Sequence, residues 1–492
     1  MSYQDTSAEE INIAMQAAQV AFLSYKNISG KQKAKFLAAI AEELEALGGE
    51  LVTTVMKETN LPEARVINER NRTTGHCRMF ATLVEEGSWV DASIDTALPN
   101  RMPVPKPDIR KMMRPLGTVV VFGAANFPLA YSTAGGDTIS ALAAGCPVIV
   151  KAHPAHTETS TKVAGAIKTA IKKTGMPSGI FHHVYGTGFE VGQALVKHPL
   201  TKAVGFTGSL AGGKALFDLA NQRAEPIPVF AEMSSINPVI LLPDTLSRNV
   251  SKTASLLAGS ITLGVGQFCT NPGLIIALED DATQKFLDAL SEEVRKSSPG
   301  PMLHQGIADN YINRSNYVRE QPGIQVMSES IDTHNPMQGR PWIASVAANV
   351  FLNNPSLAEE VFGPFSLVVR CTDRNELHSV VSSLHGQLTC TVIGDAPEVK
   401  QYESLLNVLT EKAGRVILNG VPTGVEVCPS MHHGGPFPST TDSRFSSVGT
   451  DAIKRFVRPV AYQNFENALL PDELKNENPL GIWRMVNGEL KK

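Results

Sequence analysis

No run of apolar residues in the 492-residue chain reaches the roughly 18–20 positions needed to cross a bilayer. The longest candidates, such as TVVVFGAANFPLA (118–130), are broken by glycine, asparagine and proline, so no membrane partner is expected. The start, MSYQDTSAEEINIAMQ, lacks a basic segment followed by an apolar core, and no secretory signal is expected there. Cysteine is scarce too. The six cysteines (77, 146, 269, 371, 390 and 428) are too few and too scattered for a disulfide framework, which points to a reducing, cytoplasmic setting. No CxxC pair or His/Cys cluster has zinc spacing. The pairs His182–His183 and His432–His433 would point to opposite faces of a strand and could not chelate one ion, so no metal is expected. A surplus of charge is also missing. Against 44 basic residues stand 48 acidic ones, net −4, which leaves no electrostatic footprint for nucleic acid.

What is present is an ordinary globular composition, 42% hydrophobic and 19% charged. The length is well past the roughly 250–300 residues at which one core stops growing, so at least two packed lobes are expected. Residues 31–48 place Leu37, Ile40, Leu44 and Leu47 at helical spacing, with Gly48 where a C-cap belongs. Residues 95–117 carry five prolines and cannot form a helix; an extended segment or an edge hairpin is expected.

From 118 to 231 short apolar runs alternate with helical stretches. The strands read as 118–123, 147–150, 181–185, 203–206 and 226–230, and the helices as 132–145, 159–174, 190–197 and 212–222. Such alternation, with strands apolar throughout, indicates an α/β chain with a parallel sheet covered on both faces. Ligands on such sheets bind beyond the carboxyl ends of the strands, here Phe122–Pro128, Lys151–Pro154, Tyr185–Gly188 and Phe206–Ser209. A second alternating block runs from about 238 to 420, with strands at 238–242, 274–278, 365–370, 390–393 and 415–419. The tail at 453–465 has extended character.

The most informative segment is GVGQFCTNPG, 264–273. A cysteine flanked by small, turn-forming residues sits at a tight bend with its sulfur accessible and the amides of Thr270 and Asn271 nearby. A polar, partly exposed setting of this kind is what lowers a thiol pKa, and the thiolate is the nucleophile. Cys146, Cys371 and Cys390 lie inside apolar runs and read as inert core.

GQFCT, together with FGAANFPLA (122–130), FTGS (206–209) and EEVFGP (359–364), resembles the aldehyde dehydrogenase superfamily in order and spacing, over nearly the whole chain. The stretches at 135–156 and 420–444 are similar to its branch of NADP-preferring fatty-aldehyde and α-ketoglutaric semialdehyde dehydrogenases. The resemblance implies two Rossmann-like lobes with parallel sheets plus a small β oligomerisation arm. Residues 1–96 and 116–232 would bind cofactor, 233–437 would be the catalytic domain, and 97–115 with 453–492 would form the arm and tail of a homodimer or homotetramer.

It also implies roles. Cys269 would attack the aldehyde carbon to give a thiohemiacetal, and Asn126, with the cysteine's own N–H, would hold the oxyanion. After hydride transfer leaves a thioester, Glu232 would activate the water that releases a free acid. Beside that base the chain has Met233-Ser234-Ser235 where the family usually has Leu-Gly-Gly, a departure expected to narrow backbone access to the nicotinamide. Lys151 matches the lysine for the adenosine ribose, Gly188 permits close approach beneath the adenine, and Thr207, Gly208 and Ser209 open a helix whose amides favour pyrophosphate. Glu360, with Phe362 behind it, matches the residue that holds the nicotinamide ribose. No GxGxxG follows the first strand, and the family binds its dinucleotide without one.

NAD-preferring members carry a glutamate three residues after the lysine, where this chain has Pro154. With no acid to repel a 2′-phosphate, and with Lys151 and His153 as cationic candidates, NADP use is expected with NAD also accepted. The branch offers α-ketoglutaric semialdehyde or an aliphatic aldehyde as substrate. Arg114, Arg444 or His432/His433 are candidates to anchor a substrate carboxylate, Arg444 having a loop salt bridge as its other reading. A catalytically silent dinucleotide-binding member is the alternative from another class.

Overall fold

The computed structural model describes residues 3–331 and 334–492, so Met1 and Ser2 of the start read above lie outside it. Strands Thr118–Phe122, Val148–Lys151, Phe181–Val184, Thr201–Thr207 and Val229–Glu232 form one wholly parallel sheet. Its order is 181–148–118–201–229, by the first residue of each strand. Val119 and Val121 face helices Gly30–Ala46, Glu63–Glu86 and Thr157–Thr174 in one buried cluster, whereas Val120 and Ile149 face helix Ala8–Tyr25 in another. Both faces are therefore covered, which is why these strands carry no polar alternation. Each fully buried valine or isoleucine contributes about 1.5–3 kcal/mol.

A seven-stranded sheet forms the second lobe, in the order 325–342–365–274–239–387–413 by first residue. Two of its strands, Gln325–Glu329 and Trp342–Ala347, are absent from the sequence reading. The first is a polar antiparallel edge with Gln325 and Val326 exposed, and the second is rich in Ala and Ser, so neither carries a β-branched apolar run.

The third sheet joins Ser93–Asp95, Ile109–Pro115, Val457–Gln463, Arg484–Val486 and Glu489–Lys491. Val457–Gln463 pairs antiparallel with Ile109–Pro115 along its full length. The proline-rich stretch runs extended and closes a hairpin, Ser93–Asp95 pairing antiparallel with Ile109–Pro115 and the Leu98–Lys106 bridge continuing the ladder, but both strands lie inside this sheet and not at its edge. In the tail, residues 450–456 make a 3₁₀ turn before the strand starts. Helix Gly30–Ala46 ends one residue before the expected cap; Gly48 is left-handed (φ +54°) and at once begins the next helix. Among the described residues no helix is long and apolar enough to cross a membrane.

Segment 419–449 leaves the second sheet and returns to the first. Thr440 bridges Glu232, and the Met233 amide donates to the Ser439 carbonyl at 2.8 Å. This return brings a third stretch of chain between the lobes.

Candidate active site

The cysteine bend is built by three consecutive left-handed residues, Gly264, Val265 and Gly266 (φ +54°, +59° and +64°). A β-branched residue in that region is a strained outlier. Val265 is held there by wedging its methyls against Gly300 and Gly339, where no Cβ would fit. Gly266 has no room for a side chain either: a Cβ would lie 2.3 Å from the Gly363 carbonyl. Asn237 (φ +48°) fixes the far side, its Nδ2 donating to the carbonyls of Cys269 at 2.9 Å and Asn271 at 3.0 Å. Its Oδ1 in turn accepts from the hydroxyls of Ser235 and Thr389. Asn126 reaches across from the first lobe and donates through Nδ2 to the Gln267 carbonyl at 3.2 Å.

Glu232 ends its strand, 4% exposed. Its Oε1 lies 3.0 Å from His433 Nε2, and its Oε2 accepts from Ser447 Oγ at 2.7 Å. The same imidazole nitrogen is 3.5 Å from Cys269 Sγ. Facing a carboxylate, Nε2 is assigned the proton. Burial pushes Glu232 up, but the His433 charge and hydrogen bonds from His433, Ser447 and the Cys269 thiol outweigh it and leave Glu232 below the usual carboxylate range. Cys269 goes the other way. Burial and then the facing Glu232 anion push the thiol well above its ordinary value, with the Arg72 charge acting against them.

The bend therefore does not lower the resting thiol, contrary to the expectation from sequence: burial penalises the thiolate, the facing Glu232 anion adds to that, and the Arg72 charge does not offset them. The resting pair is a protonated thiol beside an ionised carboxylate. Of the remaining cysteines, Cys371 and Cys390 are pushed to about 12 and Cys146 to about 11 by burial. The ligand atoms of Glu232, Cys269 and His433 lie within 4.8 Å of one another, compact enough for a metal on spacing alone. Hydrogen bonding among the three accounts for the cluster.

The expected cofactor residues line the carboxyl edge of the first sheet. Lys151 ends its strand with burial pressing its ammonium down and Asp5 acting against that. Asp5 accepts from the Thr187 amide at 2.9 Å, one residue before Gly188. An acid from the N-terminal segment thus stands near the lysine, where the sequence reading finds none. His153 stacks on His156 (centroids 5.1 Å), and Pro154 opens the 3₁₀ turn that follows. Burial and the neighbouring His156, His304 and Lys151 hold His153 well below its ordinary value, so it is neutral at pH 7 and not the cation expected. Thr207 pairs with Glu232, the Gly208 amide donates to the Glu232 carbonyl at 3.0 Å, and Ser209 caps helix Leu210–Asn221. Gly208 and Ser209 are exposed, leaving that helix start open to a phosphate.

Glu360 and Phe362 line one crevice with Phe268 and Asn271, beside the cysteine. Burial raises Glu360 to about 7, the hydrogen bond from Ser234 Oγ (2.9 Å) opposing it. The Met-Ser-Ser departure thus supplies a hydroxyl to the expected ribose ligand, and Met233 fills the space over Gly213. Lys151, the exposed start of helix Leu210–Asn221 and Glu360 fit a dinucleotide laid along this edge.

Of the candidate carboxylate anchors, Arg114 donates to Asn27 Oδ1 at 2.9 Å in the arm sheet, and Arg444 is exposed and paired with Asp442. Neither touches the cluster. His433 does. Its HisHis pair is visible in the sequence but is tested there only as a metal chelate and a carboxylate anchor. Asn237, Ser447 and Asp5 carry no motif, so nothing in the sequence marks them.

A thiol, an ionised carboxylate and an amide from the opposite lobe are brought together here, and comparison with known proteins makes the chain an NAD(P)-dependent oxidoreductase acting on aldehydes. The chain belongs to the aldehyde dehydrogenase family, whose pattern matches residues 1–459. It is 49% identical over 98% of its length to alpha-ketoglutaric semialdehyde dehydrogenase 2 of Azospirillum brasilense, covering 91% of that protein. It is 48% identical over 99% to alpha-ketoglutaric semialdehyde dehydrogenase of Acinetobacter baylyi, covering 93%. Among solved structures, betaine aldehyde dehydrogenase from Staphylococcus aureus in complex with NAD+ shares the fold (TM-score 0.79, 19% identity, 94% of this chain and 89% of that one). Proline utilization A from Bdellovibrio bacteriovorus does too (TM-score 0.77, 23% identity, 94% of this chain), and there the chain spans only 46% of the longer protein.

Proposed function

We propose that this enzyme oxidises α-ketoglutaric semialdehyde to 2-oxoglutarate, with water as the oxygen donor and NAD(P)+ as the hydride acceptor. The substrate assignment rests on the two relatives that share nearly half of its residues. The catalytic assignment rests on one observation, the His433 imidazole nitrogen set 3.0 Å from Glu232 and 3.5 Å from Cys269.

In this reading the thiol proton passes to the Glu232–His433 pair as sulfur bonds to the aldehyde carbon. The Asn126 side-chain amide and the Cys269 N–H hold the resulting oxyanion, each such donor typically worth roughly 10²–10³ in rate. Bound NAD(P)+ supplies the acceptor for the hydride, and Cys269 is left as a thioester. The proton taken from the thiol is released to solvent, and Glu232, ionised again beside His433 and Ser447, takes a proton from water, whose oxygen bonds to the acyl carbon. The carbon–sulfur bond breaks and the thiol recovers its proton. The first lobe carries the cofactor and the second the nucleophile.

NADP is proposed as the preferred cofactor on the strength of Pro154 and Lys151, with NAD also accepted. Asp5 is the residue that opposes it. A KM ratio favouring NAD strongly would overturn the preference, and Asp5→Asn is expected to shift the ratio several-fold toward NADP. A homodimer or homotetramer is proposed from the edge strands Val457–Gln463 and Ala413–Leu418, the latter exposing Val416 and Leu418. A rate screen of the semialdehyde against hexanal and decanal tests the substrate. Higher kcat/KM for decanal would replace the assignment with an aliphatic one.

A further inference from the structure

The side of the site facing helix Glu63–Glu86 carries charge that the reaction chemistry above does not use. Arg65 and Arg72 lie two turns apart on one face of this helix. The Arg65 guanidinium stands 4.3 Å from the Phe127 ring and 4.9 Å from the Phe268 ring. Arg72 stands 5.7 Å from Phe127 and 5.4 Å from Tyr131. These rings wall the reactive centre: Phe127 follows Asn126, Phe268 precedes Cys269, and Tyr131 lies 6.4 Å from the His433 ring. Both cations therefore sit at the rim of the pocket that receives the aldehyde.

Their hydrogen-bonding capacity is largely unspent. Each guanidinium has five N–H donors. Arg65 uses Nη2 toward the Asn126 carbonyl at 3.5 Å, and Arg72 uses Nη2 toward the Tyr131 hydroxyl at 3.2 Å. Arg72 Nε is buried without a partner, and Arg72 has no ion pair among the described residues. The nearest acid, Glu69, already accepts the Leu129 and Ala130 amides through Oε1; its Oε2 is 3.6 Å from Arg65, beyond a hydrogen bond. A third arginine behaves differently. Arg415 spends Nη1 and Nη2 on the carbonyls of Gly424 and Pro422 and braces that loop.

We infer that Arg65 and Arg72 form an anion subsite that receives the carboxylate at the far end of an ω-oxo acid, with the aldehyde end at Cys269. The inference rests on the aldehyde-oxidising centre proposed above and names the substrate class it takes. Two partly buried, like-charged guanidiniums with idle donors are costly to hold together without an anion. Burial presses Arg65 below its usual range, Glu69 acting against it and the smaller Arg72 repulsion adding to it. A carboxylate accepts from both forks, removes that repulsion and leaves the aromatic stack intact. An alkyl aldehyde offers the rings its chain but leaves the donors idle.

The test compares wild type with Arg72→Gln, Arg65→Gln and Arg72→Lys, on α-ketoglutaric semialdehyde, succinic semialdehyde and hexanal. Glutarate protection of Cys269 from iodoacetamide supplies a readout that needs no turnover. We expect Arg72→Gln to raise KM for both oxo acids by 30-fold or more while hexanal KM changes less than fivefold, any effect of the lost charge on the Cys269 thiol falling on kcat for all three substrates alike. Arg72→Lys should recover part of the loss, and glutarate should protect wild type but not Arg72→Gln at an unchanged melting temperature. Equal rises in KM for hexanal and the oxo acids, or glutarate protection untouched by either glutamine variant, would overturn the subsite. Should succinic semialdehyde prove the better substrate while the variants still lose it selectively, the subsite stands and the α-ketoglutaric assignment alone falls.

Discussion

His433 donates to Glu232 across 3.0 Å inside a pocket where both side chains are almost wholly buried. The bond ties the return segment to the first lobe, and the same nitrogen touches the Cys269 thiol. Removing the donor from a buried carboxylate leaves that carboxylate short of a partner and is usually costly. His433→Ala is expected to lower kcat by roughly 10²–10⁴, as for loss of a proton-transfer group. Glu232→Gln should still give a burst near one equivalent of NAD(P)H and then stall. Stopped-flow absorbance separates the two, and wild-type steady turnover in either variant would remove that residue from the mechanism.

The resting thiol should resist alkylation at neutral pH. Because burial and the Glu232 anion hold Cys269 well above its ordinary value, the iodoacetamide rate should keep climbing past pH 9 without a plateau. Glu232→Gln removes the anion, so the thiol falls and labelling at pH 7.5 should speed by about tenfold for each unit it falls. Mass-spectrometric counting at Cys269 reads this directly. A plateau near pH 7 in wild type would contradict it.

Cofactor affinity should rise with pH through neutrality. Glu360 is raised to about 7, so its carboxylate is mostly neutral at pH 6 and mostly ionised at pH 8. Only the ionised form accepts strongly from two ribose hydroxyls. Dissociation constants from titration calorimetry should therefore fall by up to roughly tenfold between pH 6 and 8. Ser234→Ala removes the bond that opposes burial, and the midpoint should move up. A flat profile in both proteins would rule out Glu360 as the ribose ligand.

Gly266→Ala should cripple the enzyme without touching a reacting group. Its Cβ would meet the Gly363 carbonyl at 2.3 Å, at a backbone φ of +64°. Overpacking of this kind costs about 1–3 kcal/mol and would shift the cysteine bend. A lower melting temperature with nearly lost activity is the expected result. Near-normal kcat would mean that the 363–364 backbone yields easily.

Much of the fold was legible because the buried strands are apolar and short. TVVVF and LIIAL appear as strands where the runs predict them. The strand Gln387–Ile393 begins three residues before its apolar run, since Gln387 is buried for its side chain, which accepts from Ser235, Ile236 and Asn237. Such a role leaves no trace in periodicity. The same holds at the active site. Cys269 lies beside Glu232 and Asn126 reaches the Gln267 carbonyl two residues before the thiol, but His433 arrives on a loop whose path depends on pairing between Thr440 and Glu232, residues about two hundred positions apart. Asp5 contacts Thr187, and is brought near enough to act on the Lys151 charge, by packing of the N-terminal segment along Tyr185 and Thr187. Neither contact is local, so neither can be read from local pattern.

The return of 419–449 onto the first sheet has a consequence for how this enzyme can be divided. A chain cut between 273 and 419 yields one fragment with Glu232, Cys269 and the carboxyl edge of the first sheet, but without the His433 imidazole that joins the two side chains. The other fragment carries His433 and the strand that completes the arm. Neither half can be a smaller working version of the whole, whereas the two together hold everything the chemistry needs. A pair of such fragments is therefore a natural split reporter, in which turnover appears only when the pieces find each other.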